Sequence, residues 1–267
     1  SSDVCSSDLA CCAMNAQHAG MDARWLFGQS GGDHSPRPDA EPLMREILIA
    51  DDHPLFRDAL RRTVAQILPD AKLLEADTVD NLSELAQRHQ QAELVLLDLN
   101  MPGAHGFSAL VYLRAAFPTL PILIVSARED PALMRRALGH GASGFIPKSA
   151  DVEQIGKAIN AVLDGDTWLP PGVSSTAVSL DPEEEALASK VAELTPQQYR
   201  VLTMVCNGLL NKQIAYELNV SEATIKAHMT AILRKLGAHS RTQAVLLAGK
   251  LTVEGRASKL PVEEDES

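Results

Sequence analysis

Five short apolar segments alternate with helix-length segments between residues 46 and 163, and this alternation constrains the fold more than any other feature of the chain. Strands that alternate with helices build a parallel sheet with helices packed on its faces. The branched aliphatic run 94–97 is typical of a strand that is buried on both sides. The spacing therefore predicts an α/β, doubly wound, five-stranded parallel sheet, with strands over 46–50, 72–76, 93–98, 121–126 and 143–148.

The segments between these strands carry apolar residues at helical spacing. In 54–68, for example, Leu60, Val64 and Leu68 recur on one face at steps of four residues. We expect amphipathic helices over 54–68, 79–89, 106–116, 130–139 and 151–163.

Composition marks the limits of this first domain, which we place at 44–164. Residues 165–192 are rich in Pro, Ser and acidic residues, which is typical of a linker, and one short helix is expected near 183–191. Residues 1–43 lack periodicity, so we expect a disordered leader that need not be native. The acidic tail 253–267 is also predicted to be disordered.

A second, all-α domain is predicted over 193–252. Thr195 is a favourable N-cap for its first helix, and Gln198, three residues later, completes a capping box. Ser221 caps a later helix, and two helices joined by a tight turn indicate a helix-turn-helix. The four helices are expected over 196–206, 211–218, 222–236 and 240–250.

Acidic residues stand where two of the predicted strands end: Asp51 and Asp52 follow the first strand, and Asp98 is the last residue of the third. Ligands of open α/β sheets bind outside the carboxyl ends of the strands. Carboxylates that converge there repel each other, and Mg²⁺ is the cation that is usually held by one or two carboxylates and several waters. Lys148 and Ser126, at the ends of the fifth and fourth strands, would add a positive charge and a hydroxyl. The set predicts a phosphoryl-transfer site with Asp98 as the nucleophile.

Each of these residues has a plainer explanation when it is taken alone. Asp51 and Asp52 would suit a helix N-cap with an acidic first turn, and Lys148 would suit a solvated surface position. Only the joint spacing favours a phosphoryl-transfer site. An aspartyl-phosphate phosphatase or phosphotransferase stays open as an alternative, although the second catalytic acid of such enzymes would fall at Asn100.

The motifs "LIADDHP", "LVLLDLNMPG", "ILIVSA" and "GASGFIPKS" follow one another within 46–163 and resemble the receiver domain of two-component response regulators. The resemblance implies a flavodoxin-like fold and identifies Asp98 with the phosphoacceptor. One departure is that Pro147 precedes Lys148, whereas many receivers carry a proline after this lysine. The implied roles are metal binding by Asp51, Asp52, Asp98 and the backbone carbonyl of Asn100, with Mg²⁺ as the cofactor, and phosphoryl contact or switching by Ser126, Phe145 and Lys148.

One segment is basic although the whole chain has a formal net charge of −11. Residues 193–250 carry seven basic and three acidic side chains, a formal charge of +4, which favours a nucleic-acid surface there. The outer face of the third helix of this segment carries Lys226, Ala227 and Thr230. The small side chain of Ala227 would let the helix enter a major groove about 12 Å wide. A lone helix lysine is more often solvated, so Lys226 by itself indicates little.

The stretch "ELTPQQYRVLTMVCNGLLNKQIAYELNVSEATIKAHMTAILRKLGAHSRTQAV" closely resembles the LuxR-type helix-turn-helix domain. Together the two resemblances are those of the NarL/FixJ group of response regulators, in which a receiver is joined to a small all-α four-helix DNA-binding domain. The implied DNA contacts are Lys226, Ala227 and Thr230 to bases, Asn211, Lys212, Thr224 and His228 to the phosphate backbone, and Ser221 at the cap of the same helix.

These resemblances imply a DNA-binding transcriptional regulator that is switched by phosphorylation of Asp98. The implied partners are a cognate histidine kinase, double-stranded DNA, and a second copy of the chain when it is phosphorylated or on DNA. The apolar run 120–127 is too short to span a bilayer, so we expect no membrane partner. The four cysteines show no metal-ligand spacing, and we expect a reduced, cytoplasmic chain. We expect no enzymatic activity beyond the chain's own phosphoryl transfer and dephosphorylation. The alternative is an atypical regulator whose unphosphorylated receiver serves as a dimerisation module.

Overall fold

The computed structural model describes residues 44–103, 106–174 and 180–251. The predicted leader 1–43 and the predicted acidic tail 253–267 lie outside these ranges. None of the helices in the described ranges combines the length and the apolar character that crossing a membrane requires.

The strands form one sheet in which every pairing is parallel, in the order β2-β1-β3-β4-β5. The α/β doubly wound sheet predicted from the sequence is therefore confirmed. The order places β3 between β1 and β4, so the carboxyl ends of these three strands meet at one edge. The strands are β1 Glu46–Ala50, β2 Lys72–Ala76, β3 Ala92–Asp98, β4 Ile122–Ser126 and β5 Gly144–Pro147.

Five helices cover the two faces of this sheet and complete the α/β domain. Helices α1 and α5 share one buried apolar cluster with the sheet, and α2, α3 and α4 share the other. Helix α3 begins two residues later than the sequence predicts, because Gly106 has a left-handed φ of 61° that a helix cannot include. The helices are α1 Pro54–Ile67, α2 Val79–Arg88, α3 Ser108–Ala116, α4 Pro131–Gly139 and α5 Val152–Leu163.

The second domain, which we call the helical domain, contains the four predicted helices. The capping box is present: Gln198 N donates to Thr195 Oγ1, and Thr195 N donates to Gln198 Oε1. The side chain of Ser221 caps α9, and Gly237 ends that helix with a left-handed φ of 69°. These helices are α7 Pro196–Cys206, α8 Asn211–Glu217, α9 Glu222–Leu236 and α10 Arg241–Lys250.

The helix expected near 183–191 is α6, Pro182–Ala192. It does more than connect two domains, because Leu187, Ala188 and Val191 are buried and the helix packs on α3 and on α9. The apolar cluster that includes these residues also contains side chains of both domains. In this structure α6 therefore holds the α/β domain and the helical domain together.

Candidate functional site

Two buried carboxylates and one ammonium group meet at the carboxyl edge of the sheet. Lys148 Nζ donates to Asp51 Oδ2 at 2.6 Å and to Asp98 Oδ2 at 2.9 Å. Both aspartates have a relative exposure of only 1%. A buried charge is costly unless it is paired, so this lysine stabilises the pair of acids that the fold places side by side.

The sheet register explains why these side chains meet. Asp98 is the last residue of β3, and Asp51 directly follows β1, the strand beside it. β5 ends at Pro147, and the chain stays attached to β4 through the hydrogen bond from Lys148 N to Ser126 O, at 2.7 Å. With Pro147 before it, the side chain of Lys148 still reaches both aspartates.

The electrostatics of this edge keep Lys148 charged. Partial burial acts to lower the pKa of Lys148, but the hydrogen bonds that the ammonium donates to Asp51 and Asp98 outweigh burial and raise this pKa. The ammonium is therefore a fixed positive charge beside the predicted nucleophile. The ammonium of Lys148 would attract the negative oxygens of any phosphoryl group bound at Asp98.

The arrangement of acids fits a divalent cation. Ligand atoms of Asp51, Asp52, His53 and Asp98 all lie within 4.8 Å of one another. Asp52 Oδ1 is buried and has no hydrogen-bond partner of acceptable geometry among the described residues, although His53 Nδ1 lies 2.7 Å from it. Three carboxylates that lie this close together, one of them with an oxygen that accepts no hydrogen bond from the described residues, form the kind of oxygen-rich site that Mg²⁺ prefers. His53 was not singled out from the sequence, although it directly follows Asp52.

The other predicted residues of this edge are placed around Asp98. Asn100 N donates to Asp98 Oδ1 at 3.1 Å, so the chain turns tightly after the strand. Ser126 is fully buried at the end of β4, where its Oγ accepts from Arg128 N. Phe145 is fully buried in β5 within the cluster that α2, α3 and α4 share. Its ring therefore lies inside the α/β domain, on a strand next to the one that carries Ser126.

The three predicted base-facing residues lie together on the exposed side of α9. Lys226, Ala227 and Thr230 are exposed, while Ile225 and Met229 face the core of the helical domain. Lys226 forms an ion pair with Glu222 one turn earlier, at 3.3 Å. The hydroxyl of Thr230 donates to the carbonyl of Lys226, at 3.0 Å, and so is engaged within the helix.

The residues predicted to contact the phosphate backbone of DNA lie around this face of α9. Ser221 and Thr224 lie at the start of α9, where their hydroxyls are 2.8 Å apart, and both are exposed. His228 is half-buried on α9, and Lys212 is exposed at the start of α8. The side chain of Asn211 is already engaged within the protein, because its Oδ1 accepts a hydrogen bond from Arg241 Nη1.

A contact that the sequence did not reveal joins α7 to the loop after Asp98. The buried Tyr199 hydroxyl donates to Gly103 O at 3.1 Å and accepts from Ser108 Oγ at 3.2 Å. Its ring stacks on Tyr112 of α3, with centroids 4.1 Å apart and planes tilted by 6°. Burial raises the pKa of Tyr199, so the hydroxyl remains a proton donor. We call Tyr199, Tyr112, Gly103 and Ser108 the tyrosine interface.

Charged residues extend this contact on both sides. Arg200 Nε lies 2.9 Å from Asp80 Oδ2 on α2, as an ion pair without the alignment of a hydrogen bond. On α4, Arg136 and His140 both donate to Glu184 of α6. Burial lowers the pKa of His140 although Glu184 opposes this shift, so the ring is neutral at pH 7. Helices α6 and α7 are thus bound to three helices of the α/β domain.

Comparison with protein families gives two matches along the chain. The model described as "Response regulator receiver domain" matches residues 47–160. The model described as "Bacterial regulatory proteins, luxR family" matches residues 192–248. The first range contains the carboxyl edge with Asp98, and the second contains α9.

Two curated proteins and one solved structure illustrate the similarity. The glycerol metabolism activator of Pseudomonas putida is 43% identical over 213 residues, which cover 78% of this chain and 96% of that protein. The nitrate/nitrite response regulator protein NarL of Escherichia coli K12 is 32% identical over 202 residues, covering 75% and 93%. RcsB of Salmonella enterica serovar Typhimurium, solved bound to a promoter, aligns with a TM-score of 0.46 at 25% identity, covering 78% and 99%.

Proposed function

Because the chain belongs to the response regulators that join a receiver domain to a LuxR-type DNA-binding domain, we propose that phosphorylation of Asp98 controls its binding to DNA. The observation that carries this proposal is the contact of Lys148 with Asp51 and Asp98 at the carboxyl edge of the sheet. The same chain presents α9 with an exposed outer face. The proposal therefore joins a phosphoacceptor, Asp98, and a DNA-reading helix, α9, in one regulator of transcription.

The proposed chemistry is transfer of a phosphoryl group to Asp98. A carboxylate oxygen of Asp98 forms a bond to phosphorus while the bond from phosphorus to the nitrogen of a kinase histidine, or to the acyl oxygen of a small acyl phosphate, breaks. The leaving group departs as the neutral histidine or the free carboxylate. Lys148 offsets the charge of the phosphoryl oxygens, and the Ser126 hydroxyl donates to one of them.

Magnesium is the proposed cofactor of this transfer. Asp51, Asp52, Asp98 and the backbone carbonyl of Asn100 would hold it, and a bound Mg²⁺ supplies further charge compensation for the phosphoryl oxygens. Movement of Ser126 toward the phosphoryl group leaves room for the ring of Phe145 to follow. The charge change at Asp98 would in this way reach the neighbouring helices.

The proposed partners follow from these two surfaces. A histidine kinase donates the phosphoryl group, and double-stranded DNA binds α9 in its major groove through Lys226, Ala227 and Thr230. Two copies of the chain bind together, with recognition helices about 34 Å apart, one turn of the duplex. We place the protein in the cytoplasm, and we expect no catalytic activity on other substrates.

The tyrosine interface is the proposed link between phosphorylation and DNA binding. The tyrosine interface leaves the outer face of α9 exposed, so it does not cover the surface that we propose contacts the bases. It instead fixes the helical domain on the α/β domain and so limits how two copies can align on one duplex. The loop that carries Gly103 begins at Asp98, and a change at Asp98 can therefore loosen the contact with Tyr199.

Replacing Tyr199 by phenylalanine tests this link. The variant keeps the ring stacked on Tyr112 but removes the hydrogen bond to Gly103 O and leaves this carbonyl only the longer contact from Thr203 Oγ1, at 3.5 Å, a loss of about 0.5 to 1.5 kcal/mol. We expect the unphosphorylated variant to bind operator DNA about tenfold more tightly than wild type, while the two bind equally when phosphorylated. Affinity is measured by fluorescence anisotropy at a fixed salt concentration.

Tyr216→Phe is the matched control, because this tyrosine lies in the same domain with 85% of its surface exposed. It should bind DNA as wild type does in both states. If Tyr199→Phe also leaves the unphosphorylated affinity unchanged while circular dichroism shows a folded protein, the tyrosine interface does not restrain DNA binding.

A further inference from the structure

The ammonium of Lys148 has a third neighbour besides the two aspartates, and it is an aromatic ring. Lys148 Nζ lies 4.3 Å from the centroid of the Phe56 ring, over its face. Cations within about 6 Å of a ring centroid are attracted by the negative charge of the ring face. Phe56 lies in the first turn of α1, on the chain segment that directly follows Asp51 and Asp52.

Two residues, Phe56 and Arg57, hold this turn of α1 in place. Phe56 packs against the apolar cluster that the sheet shares with α1 and α5, so its ring has limited freedom. The next residue, Arg57, donates from Nη1 to Asp51 O at 2.6 Å and from Nε to Glu75 Oε2 at 3.0 Å. The helix start is therefore tied to the same strand end that carries Asp51, and the ring is held near the carboxyl edge.

Phosphorylation and metal binding change the two aspartates but leave the Phe56 ring chemically unchanged. On phosphorylation, one partner of Lys148 becomes an acyl phosphate, and both aspartates are candidate ligands of a metal ion. The Phe56 ring takes no part in either event and keeps its charge distribution throughout. It is thus the contact of Lys148 that can stay constant while the contacts with Asp51 and Asp98 change.

We propose that Phe56 is a positioning residue for phosphoryl transfer, whose ring face holds the Lys148 ammonium at the carboxyl edge. This inference rests on the proposed phosphorylation of Asp98. It is distinct from a packing role, because any apolar side chain of similar volume would fill the space beside the cluster. Only a ring with an electron-rich face would attract the cation.

A graded series at residue 56 separates these two roles. Mono-, di- and trifluorophenylalanine keep the shape of the ring while they progressively remove charge from its face. In the full chain, we expect the rate of Mg²⁺-dependent phosphorylation by acetyl phosphate to fall stepwise along the series. Phe56→Leu should lower it about fivefold, which corresponds to about 1 kcal/mol of lost attraction.

The control in this helix turn is Leu55→Ala, because Leu55 is 88% exposed and should leave the rate unchanged. Equal rates along the fluorinated series would overturn the proposal, even if Phe56→Leu is slow, because packing alone would then explain the residue.

A second measurement needs no phosphoryl donor, so it keeps failure of this proposal distinct from failure of the proposed function. Nuclear magnetic resonance of the unphosphorylated full chain reports the shift of the Lys148 Hε protons, which the ring current of Phe56 should displace upfield. We expect this displacement to vanish in Phe56→Leu. Identical Lys148 shifts in wild type and Phe56→Leu would overturn the proposal whether or not Asp98 is phosphorylated.

Discussion

Asp98→Asn should lose phosphorylation altogether, with less than about 1% of the wild-type rate remaining. The amide has the shape of the carboxylate but is a poor nucleophile toward phosphorus, so the bond to the phosphoryl group does not form. Lys148 keeps its contact with Asp51, which preserves one of its two buried pairings. Intact-mass measurement after incubation with acetyl phosphate, with and without Mg²⁺, should show a phosphate-sized gain only in wild type with Mg²⁺.

Asp58→Asn is the matched control for this experiment. Asp58 lies on α1, away from the carboxyl edge, where it pairs with Arg61 and Arg62 at the surface. The same chemical change there should leave the mass gain intact. A Mg²⁺-dependent mass gain that persists in Asp98→Asn would contradict the assignment and would direct attention to Asp51 and Asp52 as acceptors.

Ala227→Glu should weaken binding to DNA by about 100-fold or more, because it brings a carboxylate against the phosphates and base acceptors of the groove. Ala227 is exposed on α9, and glutamate is a good helix former, so the fold of the helical domain should be kept. The measurement is a titration of duplex DNA carrying an operator that the wild-type protein selects from a random-sequence library, at fixed salt.

Ala186→Glu provides the control, since Ala186 is exposed on α6 and the same substitution changes the net charge equally. It should bind the operator within about twofold of wild type. Equal losses in the two variants would mean that overall charge, rather than the outer face of α9, determines the affinity. No loss in Ala227→Glu would show that α9 does not read the groove through this face.

The carboxyl edge could be predicted from the sequence because it depends on the order of the strands and on little else. Once β1, β3 and β5 are recognised as parallel strands, residues at their ends, such as Asp51, Asp98 and Lys148, must lie at one edge. The direct contact of Lys148 with both aspartates agrees with this expectation. The capping signals at Thr195 and Ser221 were equally informative, because a cap depends on residues three positions apart.

The tyrosine interface could not be predicted in this way. Tyr199 fits the apolar stripe of α7, and periodicity does not say whether such a stripe packs within its own domain or on another one. Its hydroxyl meets Gly103 across 96 positions of sequence, and only the three-dimensional packing of α6 and α7 brings them together. The contact of Phe56 with Lys148 was hidden for a similar reason, because the spacing gives the face of a helix but not the partner of a side chain.

We propose that the phosphoryl group on Asp98 changes the affinity of the chain for DNA. The most direct test compares the operator affinity of wild type before and after incubation with acetyl phosphate and Mg²⁺, beside Asp98→Asn treated identically. We expect phosphorylated wild type to bind about tenfold more tightly, and Asp98→Asn to bind equally with and without treatment. Wild type that gains a phosphoryl group on Asp98 yet binds the operator with unchanged affinity would contradict the claim.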